Sequence, residues 1–275
     1  MDYLIKTRSQ KMKYLLILWF LFIFSNVVWA KGPTTTNLAK KVKSPISAEA
    51  VKEMLLTKYE KTYKTNKELV KLQKFTLMNR GKSVPALIHV MKSTKYPDKN
   101  RWIATFLLGK IMGKRSAPFI SKFLSHPNWV MRLASLKTLL ALGEKNYGGR
   151  FAEALQDKSY IVRTQALENI RKMRLKKYSA NVWQMLYDKR NYYAPKGKTK
   201  KRANIIKEVV KTVGVLKFSK AKDPLLKMVQ KKRYEDIFDE ISTSLEKITG
   251  EEVPKGNKNV KRRFWSRVAI NNKVI

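Results

Sequence analysis

Three arginines stand 31 residues apart in this 275-residue chain: Arg101 in KNRWIATFLLG, Arg132 in NWVMRLASLKTLLALG and Arg163 in DKSYIVRTQALENI. Three positions after each comes a small residue, Ala104, Ser135 or Ala166, and seven positions after each a branched aliphatic, Leu108, Leu139 or Ile170. A period of this length is the signature of stacked helical units, each burying its apolar stripe only against its neighbours. The columns also suggest roles. Small residues let helices approach closely, the aliphatic fills the seam, and Asp157 is placed to cap a helix start that Arg163 braces. The arginines are therefore expected to be framework residues.

Helical patterns separated by short breaks surround this repeat. TNKELVKLQKFTLMNRG opens with a capping box from Thr65 to Glu68 and closes on Gly81; Gly143, Gly214 and Gly250 are expected to close later helices. Shorter partner helices are expected in VPALIHVMK, SAPFISKFL, GRFAEALQ, SANVWQMLY and DPLLKMVQ, and no alternating strand pattern is present. Extending the register from the glycine stops places anchors near Val70, Arg101, Arg132, Arg163, Ala203 and Asp239. The expected fold class is all-α.

LQDKSYIVRTQALENI resembles the HEAT-like repeat of the type also found in phycobilisome lyases, in which an Asp, a Val-Arg pair and a following Ala recur. LSHPNWVMRLASLKTLLALG is similar, with His126 at the Asp position, which leaves that capping contact open. ITGEEVPKGNKNVKRRFW resembles the closing segment of many HEAT-repeat chains, where a Trp helix covers the last repeat. The resemblance is specific over residues 98–175 and weaker over 47–97 and 199–250. It implies a right-handed α-solenoid of about six HEAT-like helical pairs with a C-terminal capping helix and a curved binding surface. It implies no single function, and no lyase or pigment-binding residue carries over, because the matching positions are framework. HEAT-like DNA-repair glycosylases share the solenoid and a basic concave face, which keeps nucleic acid in view as an alternative partner.

The N-terminus reads as a signal peptide over residues 1–30. Lys6, Arg8, Lys11 and Lys13 precede the apolar run YLLILWFLFIF, and Val28 and Ala30 occupy the small-residue positions before a cleavage point. Met12 is an alternative start, and an uncleaved anchor extending through Trp29 is the alternative to cleavage. Residues 31–46 then read as a linker and 47–275 as the solenoid, with a basic loop at 188–200. The expected location is periplasmic or secreted. The chain has no cysteine, so disulfides and thiolate chemistry are excluded.

Charge indicates the partner. Sixty Lys and Arg against 20 Asp and Glu give a formal +40, while 44% hydrophobic residues are ample for a core. Such a field concentrates polyanions, although a lysine-rich surface can also serve solvation alone. Between Lys158 and Arg233 stand 23 basic and 4 acidic residues, and residues 234–252 reverse the sign. Within this region YDKRNYYAPKGKTKKR lengthens the repeat by about nine residues and interleaves tyrosines with cations. The candidate partner-binding residues are Lys176, Lys177, Lys189, Arg190, Tyr192, Tyr193, Lys196, Lys198, Lys200, Lys201 and Arg202. The competing reading is a surface loop whose tyrosines pack on adjacent helices.

Catalytic patterns are thin. His89 and His126 lie in different units, and RGKS at residues 80–83 fails as a phosphate loop because Thr76 stands where its leading glycine would be. Glu235 with Asp236 and Asp239 with Glu240 suit a helix start. No catalytic residue, metal ligand or cofactor is indicated. The functional expectation is a noncatalytic exported scaffold or adaptor for an anionic partner, namely an acidic protein, glycan or lipid headgroup. A membrane enters only if the signal segment stays attached, and the alternative is a nucleic-acid-binding HEAT-like protein.

Overall fold

A computed structural model of the chain describes residues 46–193 and 201–271, excepting the side chains of Lys201 and Arg202. The expected signal segment and the linker through Pro45 lie outside these residues. In chain order the helices are α1 (Ala48–Glu60), α2 (Asn66–Met78), α3 (Val84–Lys92), α4 (Asp98–Met112), α5 (Ala117–Ser121), α6 (Trp129–Ala141), α7 (Gly148–Ala154), α8 (Tyr160–Lys172), α9 (Ser179–Gln184), α10 (Asn204–Val215), α11 (Lys222–Val229), α12 (Phe238–Thr249) and α13 (Lys258–Asn271). A two-residue antiparallel pair, β1 (Tyr192–Tyr193) with β2 (Lys201–Arg202), lies between α9 and α10. Among the described residues no helix is long and apolar enough to cross a membrane.

The architecture is an all-α solenoid. Helices α2, α4, α6, α8, α10 and α12 pack each against the next, and α3, α5, α7, α9 and α11 each pack on the long helix that follows. Local chemistry starts these elements. Thr65 and Glu68 exchange both bonds of the capping box, and prolines occupy the first turns of α3 and α5, where a missing N–H costs no hydrogen bond. At the far end α13 packs on α11. It buries Trp265 completely, with Nε1 donating to Ser242 Oγ at 3.0 Å, as the closing-segment resemblance implied.

The repeat register on either side of the three arginines differs from the sequence-based anchors, because glycine serves two purposes here. Gly143 (φ 69°) and Gly250 (φ 80°) do stop helices in the left-handed region. Gly214 does not. It lies inside α10, where a Cβ would stand 2.7 Å from Ser244 Cα, so it permits close approach to α12. The left-handed stop of α10 is Lys217 (φ 52°), matching Arg80 (φ 42°) and Arg174 (φ 52°). Gly81 only follows Arg80 in a 3₁₀ turn.

Counting back 11 residues from Arg80 and Lys217, the interval of Arg132 to Gly143, moves the anchors from Val70 to Leu69 and from Ala203 to Ile206, and Phe238 replaces Asp239 at 12 residues before Gly250, as Arg101 stands before Gly113; all three are buried where Val70 is 44% exposed. Hydrogen bonds confirm the alignment. Asn169 Nδ2 donates to Leu136 O and Ser244 Oγ to Val210 O, both at 2.8 Å, each from the sixth position after an anchor to the fourth after the preceding one. The interval from Arg163 to Ile206 is 43 residues, so the insertion is 12 residues (43 minus 31) rather than about nine.

Candidate functional site

The site is defined by a clamp that is present at three turns and missing at the next. Twenty-five residues after the three arginine anchors stand His126, Asp157 and Asp188. Each accepts from the backbone N–H two residues on, at 3.0, 2.7 and 2.9 Å respectively, so the His126 Nδ1 atom performs the turn-closing role of the carboxylates. Arg132 donates to both carboxylate oxygens of Asp157 (2.6 and 2.8 Å) and to the carbonyls of His126 and Pro127. Arg163 holds the Asp157 and Lys158 carbonyls and reaches Asn191 Oδ1 at 3.1 Å. The Asp157 carboxylate thus belongs to Arg132, while Arg163 braces the same turn through its backbone.

Arg101 is the imperfect member. It is 1% exposed, and it donates to Met91 O (3.1 Å), lies 3.2 Å from His126 Nε2 and 3.3 Å from Asp98 Oδ1, and leaves Nε without a partner. Burial, then the Arg101 charge, pushes the His126 pKa down. Both ring nitrogens face donors, and a neutral imidazole has only one free acceptor.

At the following turn the anchor is Ile206, and 25 residues on stands Lys231. Where the clamp would be, a cavity of about 360 Å³ opens. Ile206, Leu186, Pro224, Met228 and Ile237 supply aliphatic lining; Trp183, Tyr187, Tyr192 and Tyr234 supply aromatic lining; Lys227, Lys231 and Arg233 supply the charge. Among the described residues no carboxylate lines it. The Tyr192 hydroxyl donates to Leu186 O at 2.6 Å, and Arg233 lies over the Tyr234 ring, 4.8 Å from its centroid. Lys227 and Lys231 are exposed and make no ion pair among the described residues.

Lysines of the long-helix layer are placed differently. Lys172 pairs with Glu168 (2.7 Å), Lys211 with Glu208 (3.1 Å), Arg171 with Glu208 (3.5 Å) and Lys207 with Glu240 (3.8 Å). Burial raises the Glu168 pKa, but the hydrogen bond from Lys172 and the charges of Lys172, Lys137 and Arg171 outweigh it, and the net direction is down. This layer is laced with opposite charges rather than uniformly basic.

The sequence-derived candidates scatter around the cavity. Tyr192 lines it, and so does the neighbouring Tyr187; Tyr193 is half-exposed outside the lining. Lys176 and Lys177 are exposed in a 3₁₀ turn, and Lys189 is exposed beside Arg190. Arg190 is engaged by Asp188 (2.7 Å) and Gln156, and that hydrogen bond holds the Asp188 carboxyl below its usual range. Lys196, Lys198 and Lys200 lie outside the described residues, and the backbones of Lys201 and Arg202 pair with those of Tyr193 and Tyr192. Trp183, Lys227, Lys231, Arg233 and Tyr234 were missed. The available signal was the spacing from 206 to 231, which keeps the clamp interval while exchanging Arg for Ile and Asp for Lys.

Other candidates are structural. His89 meets Tyr96 edge-on, and among the described residues no group of three or more His, Cys, Asp or Glu could hold a metal ion. Asp239 and Glu240 do lie in the first turn of α12, but Glu235 instead pairs with Lys258 and Arg262 and ties α13 to the last turn. A second hollow of about 520 Å³ has Lys220, Lys222 and Glu251 in its lining and no aromatic side chain.

These features define a helical-repeat protein with an aromatic and cationic cavity at a broken repeat. No protein-family model and no curated protein sequence matches the chain. Among solved structures it is similar to a chain in the complex of CpcE and CpcF of phycocyanin lyase from Nostoc sp.. That match covers 86% of this chain and 100% of the other at 10% identity, with a TM-score of 0.29.

Proposed function

We propose that the protein is a noncatalytic exported scaffold or adaptor of HEAT-like type that binds an anionic partner through the basic surface around the Ile206 turn. The carrying observation is the cavity itself, whose lining among the described residues contains three cations, four aromatic side chains and no carboxylate. Lys227 and Lys231, which make no ion pair among the described residues, keep their charge for a partner, and aromatic walls add contact area at low entropic cost. The signal-like segment at residues 1–30 supports export.

Titrating the full chain against polyglutamate, a sulfated glycan and anionic vesicles at low and high salt tests this. At least one should bind at low salt and weaken steeply as exposed charges are screened over about 8 Å at physiological ionic strength. Absence of binding to all three at low salt overturns the reading. Tighter binding of single-stranded DNA would select the nucleic-acid alternative.

A further inference from the structure

We propose that the cavity between Ile206 and Lys231 receives one large apolar side chain of an acidic peptide segment, whose flanking carboxylates pair with Lys227 and Lys231. This rests on the anionic-partner reading and names the class of partner.

Three observations converge on it. The first is the register. At Arg132 the chain closes the gap between successive turns with its own guanidinium and the carboxylate of Asp157. At the broken repeat the corresponding positions are Ile206 and Lys231, and the gap remains as a cavity with an apolar wall and a cationic edge. An incoming carboxylate restores the ion pair with the polarity reversed.

The second is the polar chemistry of the lining. Apart from tyrosine hydroxyls, its polar side-chain groups are the Trp183 indole N–H and ammonium and guanidinium groups, which only donate. A nucleobase edge or a neutral sugar presents donors as well as acceptors, and those donors would be buried poorly matched. A carboxylate presents acceptors alone, and the aliphatic and aromatic walls match an apolar anchor.

The third is scale. About 360 Å³ lies at the small end of ligand pockets, enough for one anchor side chain rather than a long acyl tail. Lys227 lies in the last turn of α11, Lys231 stands in extended backbone two residues past its end, and both line the cavity, which suits carboxylates on residues flanking the anchor. The formal +40 of the chain also steers a polyacidic segment far more strongly than a monoanion.

The test uses fluorescence anisotropy of the full chain with four probes: a peptide carrying one Phe between runs of Glu, the same peptide with Ser for Phe, oligo-dT, and phosphatidylglycerol-containing vesicles. The Phe peptide should bind about tenfold or more tightly than the Ser peptide, the effect of burying one aromatic side chain. The exposed pair Lys227→Gln with Lys231→Gln should weaken the Phe peptide about fivefold or more and flatten its salt dependence, with an unchanged melting curve. Met228→Trp, which fills the cavity, should erase the preference for Phe.

Equal affinity for the two peptides overturns this inference and leaves the anionic-partner reading standing. Failure of both peptides at low salt overturns the inference, and failure of the vesicles and of the sulfated glycan as well overturns the anionic-partner reading with it. Tighter binding of oligo-dT or of vesicles than of the Phe peptide overturns the inference in favour of nucleic acid or membrane.

Discussion

The turns led by Arg101, Arg132 and Arg163 and those led by Ile206 and Phe238 solve one stacking problem with different chemistry. In the first region a buried guanidinium couples one turn to the next through carbonyls and a side-chain acceptor. In the second the same positions are apolar, and coupling falls to helix contacts such as Ser244 Oγ to Val210 O. A guanidinium clamp works only where the next turn arrives at a set distance. The 12-residue insertion changes that arrival, and a buried arginine without its partner would be costly. An aliphatic anchor avoids that cost and leaves room for a cavity.

The largest expected effect separates the two regions directly. Arg132→Ala should cost about 3–5 kcal/mol, because Asp157 is left buried without its partner. Lys231→Ala, which alters the matching partner position of the broken repeat, should change stability by no more than about 0.5 kcal/mol. Denaturant melts of the two variants decide the matter, and equal losses would break the distinction between clamped and unclamped turns. Arg132→Ala should leave peptide affinity unchanged in the folded fraction.

A smaller effect concerns helix approach in the second region. Gly214→Ala forces a Cβ against the Ser244 backbone, whereas at Gly109 the obstacle is a side-chain atom, Thr138 Cγ2, which yields at the cost of the Thr138 Oγ1 bond to Ala134 O. Overpacking predicts about 1–3 kcal/mol for Gly214→Ala and less for Gly109→Ala. Calorimetric melting of both checks the order. The reverse ranking would mean that α10 and α12 are held less closely than α4 and α6.

His126→Asp should stabilise the first region by about 1 kcal/mol, by giving the unpartnered Arg101 Nε an acceptor while losing the ring stacking on Phe123. That corresponds to roughly 2–4 °C in Tm. The smallest expected effect is the pH dependence of the parent protein. His126 has a pKa below its unfolded value of about 6.5, so as pH falls the unfolded chain takes up the proton first. The contribution is complete above the unfolded pKa and is lost as pH falls from there toward the folded one. His126→Asp should remove that step from a plot of Tm against pH between about 7 and 5. A step that persists belongs to another group.

Much of the fold could be read directly. The period, the framework arginines, the Thr65 capping box and the Trp265 cover all rest on local pattern or on repetition, and repetition reports packing because each unit meets the same neighbour. Of the site, Tyr192 was legible through its place beside the cations, but Lys227, Lys231 and Tyr234 were not. They join Trp183 and Ile206 only because three elements and an insertion converge there.

Sequence by itself determined that this chain stacks helix pairs, that three arginines tie the turns, and that its surface carries a large positive charge. Only the tertiary structure decided which glycine ends a helix and which admits a neighbour. Gly143 supplies a positive φ and Gly214 an absent Cβ, two properties that one letter does not distinguish until Ser244 is found 2.7 Å from where that Cβ would be. The same holds for the cavity. Whether Ile206 and Lys231 close on each other or stand apart depends on where the chain returns after an insertion, and that is a distance in space that spacing along the sequence does not contain.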